Sequence, residues 1–374
     1  MLRYLTAGES HGKGLVAILE GVPAGVKLEE DAINKELQRR QKGYGRGKRM
    51  EIEKDTAKII SGIRKKETLG SPIAILIDNK DFKIDELAVI TKPRPGHADL
   101  AGGMKFGFRD LRNVLERSSA RETAARVAVG AVCKLFLREF DIDIISHVVN
   151  IGGVNADTRA LSFGEIKALS NKSPCLCADE KASKLMVEKI DKATDDKDSL
   201  GGIFEIMIIG LPAGLGSYVH WDRKLDADLA RAVMSIQAVK GVEIGMGFEM
   251  ASKSGSEVHD EIFYESPRGF YRKTNNAGGF EGGMTNGEKV MLRAVMKPIS
   301  TLAQPLKSVD IETKSACDAA VERADVCAVP AAGVVAEAVC AFEIARAFIE
   351  KFGSDGLVEI KRNYQGYLKQ LSES

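Results

Sequence analysis

Ala17-Ile18-Leu19-Glu20-Gly21-Val22-Pro23-Ala24-Gly25-Val26 reads as a short apolar strand that stops at a Gly-x-Pro-Ala-Gly turn. The pattern returns as Ile206-Met207-Ile208-Ile209-Gly210-Leu211-Pro212-Ala213-Gly214-Leu215. Each turn leads to a helix with similar opening residues, Leu28-Glu29-Glu30-Asp31-Ala32 and Leu225-Asp226-Ala227-Asp228. Further on, Ser61-Gly62-Ile63 and Gly70-Ser71-Pro72-Ile73-Ala74-Ile75-Leu76-Ile77 parallel Gly278-Gly279-Phe280 and Asn286-Gly287-Glu288-Lys289-Val290-Met291-Leu292. Glu116-Arg117 and Glu322-Arg323 then each open a long helical region. Matches in one order predict an internal duplication. The pseudo-repeats cover about 1–140 and 200–352, packed about a pseudo-twofold axis that makes Arg117 and Arg323 counterparts.

Periodicity places strands near 2–7, 14–20, 57–63, 72–78, 203–210, 242–250 and 289–297. Helices are expected near 29–41, 121–139, 224–236 and 330–351. Residues 171–199, with their Lys/Asp runs, read as a surface insertion holding a helix at about 179–193. No polar linker forces a boundary, so 1–374 is expected to form a single domain of α+β or α/β layers.

The 374 residues carry a net charge of +1, which gives no bulk field toward nucleic acid or membrane. Positive charge is local instead. Arg39, Arg40, Lys42, Arg46, Lys48 and Arg49 fall together without an acidic neighbour. Arginine and tyrosine interleaved with glycine can bind RNA by charge and stacking, or can form a loop that clamps a multiply charged small anion, or can simply be solvated. The six cysteines form no CxxC pair and read as reduced thiols, mostly buried. His11 comes too soon for a signal peptide, and the apolar stretch 329–349 carries Glu337, Glu343 and Arg346 and cannot be a membrane span. A cytoplasmic enzyme or binding protein is the expectation.

Glu116-Arg117-Ser118-Ser119-Ala120-Arg121-Glu122-Thr123 joins a capping-box pattern, Ser119 to Glu122, to two arginines and two hydroxyls. Such a helix start can hold a phosphate or carboxylate, or can be an ordinary capped helix with solvated arginines. His11 lies in Gly8-Glu9-Ser10-His11-Gly12, and His97 in Arg94-Pro95-Gly96-His97-Ala98-Asp99. Two loop histidines near arginine or serine can act as an acid–base pair, and either alone can be structural. The glycine-dense run 275–287 permits close backbone approach to a flat or phosphorylated ligand, or serves as tight turns. Asp325 can cap the last long helix or serve as a base.

These segments together resemble the chorismate synthase family. Ser235-Ile236-Gln237-Ala238-Val239-Lys240-Gly241-Val242-Glu243-Ile244-Gly245, Asn276-Ala277-Gly278-Gly279, Met296-Lys297-Pro298-Ile299-Ser300-Thr301 and Arg323-Ala324-Asp325-Val326-Cys327 complete the set in the family's order. The resemblance implies a β-α-β sandwich. It implies an anti-1,4-elimination of phosphate from 5-enolpyruvylshikimate 3-phosphate, giving chorismate, with reduced FMN (FMNH2) and no net redox change. His11 and His97 would then be the acids, with Asp325 assisting at the flavin. Ser10, Arg40, Arg46, Arg49, Arg121 and Arg323 would bind the substrate.

Flavin binding carries over to Arg117, Ser118, Ser119, Gln237, Ala238, Gly282, Lys297, Pro298, Ile299, Ser300, Thr301 and Arg323. Arg40 and Arg46 match positions associated with nicotinamide nucleotide, and read here as substrate or flavin-phosphate contacts. With no room for a reductase domain, the resemblance implies the monofunctional type. It would be a homotetramer fed by an external flavin reductant, with NADPH acting only indirectly. An RNA-binding protein and a flavin carrier without lyase chemistry are the rival readings. The first predicts salt-sensitive binding to single strands, and the second does not need both histidines.

Overall fold

The computed structural model describes residues 1–47, 53–266, 269–322 and 324–373. The first part of the chain forms β1 (Arg3–Ala7), β2 (Gly14–Glu20), α1 (Glu30–Gln41), β3 (Ala57–Ile59), a hairpin of β4 (Ile63–Arg64) and β5 (Glu67–Thr68), and β6 (Ile73–Asp78). Then follow α2 (Asp99–Phe106), α3 (Arg112–Ser118) and α4 (Thr123–Arg138). The second part opens with β7 (Asp143–Ile151), β8 (Val154–Asn155), α5 (Phe163–Ser170), α6 (Glu180–Asp195), β9 (Gly202–Ile209), α7 (Leu225–Met234) and β10 (Val239–Ile244). It continues with the hairpins β11 (Ile262–Glu265)–β12 (Gly269–Arg272) and β13 (Phe280–Glu281)–β14 (Met284–Thr285), then β15 (Val290–Met296). The hairpin β16 (Lys307–Val309)–β17 (Ala316–Asp318) precedes the final helices α8 (Val329–Phe352) and α9 (Leu357–Ser372).

The first sheet has the order β1-β2-β6-β3, and the second β10-β15-β9-β7-β8, all antiparallel. Read from β7, the second sheet repeats the order of the first. The paired turns agree at the level of single atoms. Thr68 Oγ1 donates to Pro23 O (2.6 Å) and accepts from Val26 N (3.0 Å); Thr285 Oγ1 donates to Pro212 O (2.6 Å) and accepts from Leu215 N (2.9 Å). Gly21 and Gly210 take φ of +90° and +84°, where a Cβ would collide with the carbonyl oxygens of Met1 and Asp141.

Helices α1 and α4 lie on the first sheet, α7 and α8 on the second, and α4 packs against α8. One apolar core runs through these layers and includes Leu15, Ile75, Phe136, Phe204, Leu292 and Phe348. The joint between α1, α4 and α8 is also charged. Glu337, fully buried, accepts from Arg39 Nη1 (2.7 Å) and Nη2 (2.8 Å), from Ser146 N and Oγ (both 2.7 Å), and from Lys134 Nζ. Burial opposes its charge, but Lys134 and Arg39 outweigh that and hold the carboxyl well below the usual carboxylate range. No helix among the described residues is long and apolar enough to cross a membrane.

Four expectations need correction. The strand predicted over 242–250 is β10, which starts earlier and ends at Ile244, because Gly245 and Gly247 adopt φ of +60° and +58° and the chain turns into a 3-10 segment. The strand predicted over 57–63 stops at Ile59, and Ile63 belongs to a separate hairpin. The capping box is not formed. Ser119 Oγ accepts only from Arg121 N (3.3 Å), while Glu122 is drawn to Arg126 (2.8 Å), so a 3-10 turn precedes α4. Residues 171–199 are not merely superficial: Cys175, Cys177, Ala182, Met186 and Ile190 join the main core.

Candidate functional site

Strand register fixes which loops gather. Gly14 pairs with Asp78 and Ala57 with Ile77, so the 8–13 loop, the segment before β3 and the segment after β6 leave one end of the first sheet. Gly202 pairs with Met296 and Val239 with Met296, so residues 199–201, 235–238 and 297–301 leave the corresponding end of the second. The Pro-Ala-Gly turns lie at the opposite ends.

The His11 loop is clamped by the last turn of α3. Glu116 O accepts from Ser10 N (2.9 Å), and Glu116 Oε2 from His11 N (2.7 Å), while Oε1 lies 2.9 Å from His11 Nδ1. Arg117 Nη1 donates to Gly8 O (2.9 Å) and Nη2 to Thr6 O (3.0 Å), so its guanidinium serves the loop. Asn79 Nδ2 donates to Glu9 O (3.1 Å) and Gly12 O (2.8 Å), and its Oδ1 accepts from Arg121 Nε (2.9 Å) and Nη2 (2.7 Å). Ser10 is buried beneath this loop. Ser118 Oγ reaches only Leu115 O (3.5 Å), and Ser119 ends α3.

Arg121 continues the network to Asp55 (Nη1 to Oδ1, 2.5 Å), and Asp55 also meets Arg40 Nη1 at 3.3 Å. Arg40 Nε donates to Thr123 Oγ1 (2.9 Å) and Nη2 to Ala120 O (3.0 Å). Burial pushes the Arg40 guanidinium down to about 10, with Arg121 and Arg46 adding like-charge repulsion against the support of Asp55 and Asp325. Arg46 pairs with Asp325 (2.8 Å), whose Oδ1 also accepts from Gly47 N (2.7 Å). Asp325 therefore does not cap α8; Ala328 precedes that helix without a side-chain cap. Three arginines of the basic run turn inward: Arg39, Arg40 and Arg46 all engage buried or half-buried carboxylates, while Lys48 lies outside the described residues. Arg49 and Arg323 lie outside the described residues.

His97 sits in a second buried cluster. Its Nδ1 is 2.6 Å from Asp99 Oδ1, and Arg94 binds Asp99 through Nε (2.8 Å) and Nη2 (3.0 Å). Arg94 Nη2 also flanks the imidazole, 3.1 Å from Nδ1 and 3.4 Å from Nε2. Asp99 is buried, which opposes its charge, but His97 and Arg94 hold it well below the usual carboxylate range. Arg94 Nη1 reaches across to Thr301 Oγ1 (2.8 Å), and Lys297 Nζ donates to Gly96 O. Ser300 lies beside Gly96, Ile299 O accepts from Ser199 Oγ (2.6 Å), and Pro298 is exposed.

A bridge closes the two clusters. Gln237 Nε2 donates to Glu122 Oε1 (2.7 Å), next to Arg121, while Ala238 O accepts from Lys297 N (2.9 Å). Arg126 reaches Ser235 Oγ (2.8 Å) from the same helix as Glu122's partner turn. Beside this bridge lies a cavity of about 190 Å³ lined by Tyr4, Arg231, Ser235, Phe342 and Glu343. Gly282 is not brought in. It occupies the β13–β14 turn at the other end of the second sheet, with φ +59°, and a Cβ there would meet only Tyr218.

One observation bears on a flavin. Gln237 Oε1 is buried and has no hydrogen-bond partner among the described residues, and Ala238 holds a left-handed φ of +66°. An acceptor held this way, with Lys297 and the hydroxyls of Ser300 and Thr301 nearby in the chain, fits the alternating N–H and carbonyl edge of an isoalloxazine and an anionic tail. Sequence reasoning did not single out Asp55, Asn79, Arg94, Asp99 or Arg126, gave Glu122 only a capping role, and gave the Glu116 side chain none. Asp99 and Glu116 stood inside quoted motifs, and their nearness to a loop histidine was the available signal.

Known proteins match the chain over nearly its whole length. The profile of the family described as chorismate synthase matches residues 2–349. Chorismate synthase of Geobacter sulfurreducens is 57% identical, with 99% of this chain and 99% of that protein covered. Chorismate synthase of Geobacillus kaustophilus is also 57% identical, covering 97% and 98%. A solved structure titled as the crystal structure of chorismate synthase superposes with a TM-score of 0.84 at 44% identity, covering 100% of this chain and 99% of that one.

Proposed function

Because the chain belongs to the chorismate synthase family, we propose that it performs the anti-1,4-elimination of phosphate from 5-enolpyruvylshikimate 3-phosphate. The product is chorismate, at the final common step of the shikimate pathway. The chain is an enzyme of that family. The observation that carries the finer reading is the linkage of the His11 loop to Arg121 through Asn79 and of Arg121 to Arg40 through Asp55, with the Arg46–Asp325 pair close enough to act on the charge of Arg40, while Glu122, next to Arg121 in the chain, is bridged by Gln237 to the segment at Lys297.

The substrate carries a phosphate and two carboxylates, so its site must be rich in fixed cations. Arg40 and Arg46 supply this charge, and Arg121 holds the loops that present it. His11 Nε2 gives a proton to the departing phosphate oxygen. His97, steadied by Asp99 and Arg94, would hold a proton for the bound flavin, and Asp325, paired with Arg46, would accept one. Gln237, Ala238, Lys297, Pro298, Ile299, Ser300 and Thr301 would hold FMN. When bound in its reduced form, the cofactor supplies electron density to the breaking C–O bond, with no net redox change.

The same segments support a β-α-β sandwich built by internal duplication, with 1–374 as one domain. We further assign a cytoplasmic homotetramer of the monofunctional type, fed by an external reductant, with NADPH acting only through that reductant. The exposed apolar side chains of Met104, Phe106, Tyr218, Trp221 and Phe248 support assembly. The test is anaerobic. Protein, reduced FMN and the enolpyruvyl substrate are mixed, and phosphate release and a transient flavin signal are followed. Turnover is expected, with a loss of about 10²–10⁴ in kcat for His11→Ala. No phosphate from the wild-type protein sinks the reading, and full activity in both His11→Ala and His97→Ala sinks the acid roles.

A further inference from the structure

We infer that Glu116 is a positioning residue that determines which nitrogen of His11 carries the transferable proton; this rests on the reading of His11 as the acid for the leaving phosphate.

Glu116 is 3% exposed, on the last turn of α3, and touches the His11 loop at three points. Its main-chain oxygen fixes Ser10, its Oε2 fixes the His11 main chain, and its Oε1 meets Nδ1. Two further contacts restrict the loop from the other side, since His11 O accepts from Lys83 N and Ile84 N, both at 3.1 Å. The main chain of the loop is therefore held on both sides, and Oε1 of Glu116 meets the ring itself. An ionised carboxylate only accepts hydrogen bonds, so the Nδ1 contact requires a proton on Nδ1. Among the described residues Nε2 has no hydrogen-bond partner, and the side chain is 15% exposed. Nε2 is the nitrogen presented to a ligand.

This arrangement suits a donor more than an acceptor. When the C–O bond of the substrate breaks, both electrons go to the phosphate oxygen, which takes the proton from Nε2 of the imidazolium. The neutral ring that remains carries its proton on Nδ1. That is the tautomer Glu116 already holds, so no ring flip or second proton movement is needed within the step. Burial works against the carboxylate, but the side-chain and main-chain contacts of His11, then the charges of His11 and Arg112, hold Glu116 below the usual carboxylate range. It remains an acceptor through neutral pH.

The test reads the tautomer directly. Nitrogen NMR of ligand-free protein labelled in histidine, with the His11 signal assigned from a His11→Asn variant, is expected to show the Nδ1–H form for the neutral ring. Glu116→Gln places an amide against Nδ1 and should move the population to the Nε2–H form. The same variant is expected to lower kcat for phosphate release at least about tenfold, with KM within about twofold. An Nε2–H tautomer in the wild-type protein overturns the inference, even if Glu116→Gln does not fold. An unchanged tautomer and kcat in a folded Glu116→Gln protein also overturns it. If the wild-type protein releases no phosphate, the functional reading fails while the tautomer alone decides what Glu116 does.

Discussion

In the first sheet, β1 and β2 are joined by the short Gly8–Lys13 loop, which carries His11. In the second, the equivalent connection runs from Gly152 to Gly201 and carries β8, α5 and α6 instead. At the opposite ends the two halves agree closely, down to the paired threonine bonds. The difference separates two jobs. The ends that agree close the fold, and the ends that diverge hold the proposed chemistry, with Glu122 and Arg94 of one half bonded to Gln237 and Thr301 of the other.

The harshest way to break this comparison is at the joint between the halves. Glu337→Ala leaves Lys134 and Arg39 with only Glu36 as partner, and should cost about 3–5 kcal/mol in denaturant unfolding. A cost near zero would mean that the halves do not depend on this buried charge.

The His97 cluster offers a pH-dependent test of how the first half is tied to Thr301. Asp99 has a depressed pKa in the folded state, so its stabilisation is present above the ordinary carboxylate value of 3.8 and is lost as pH falls below it. Asp99→Asn is expected to lower stability by about 2 kcal/mol at neutral pH. The gap to wild type should narrow steadily as pH falls from about 4 toward the acid limit. A gap that ignores pH would show that the carboxylate charge contributes nothing.

The mildest test compares equivalent atoms. Thr68→Val and Thr285→Val each remove one hydroxyl that donates to a proline carbonyl and accepts from a backbone N–H. Each should cost about 1–2 kcal/mol, and the two costs should agree within about 0.5 kcal/mol in urea titrations. A large cost on one side only would show that the turns are alike in shape but not in energy.

Where the halves agree, the sequence was readable, because Gly-x-Pro-Ala-Gly is a local steric statement and β2, β6, β9 and β15 alternate or run apolar between turn residues. β7 escaped because Ile144 to Val148 is buried on both faces and so lacks the period of two. α9 escaped because it buries only Leu357 and Ile360 and presents mostly charge. In the site, the loop histidines and arginines were visible as residue types. Their partners were not, since Asp55 reaches Arg121 and Asn79 reaches the His11 loop across long separations that only the sheet register supplies. The capping box failed for a related reason: Arg126, one turn ahead, and Gln237, more than a hundred residues away, compete for Glu122.

At the crossing of α4 and α8, Gly130 lies so close to Ala338 that a Cβ there would overlap its backbone. Only the Ala338 methyl and main chain press on the bare Gly130 backbone at that point, with no larger side chain to act as a bearing. Sliding or rocking of the two sheets as rigid plates to admit a guest would have to break this contact. Room for its entry and departure comes at lower cost from bending of the loops at the rim.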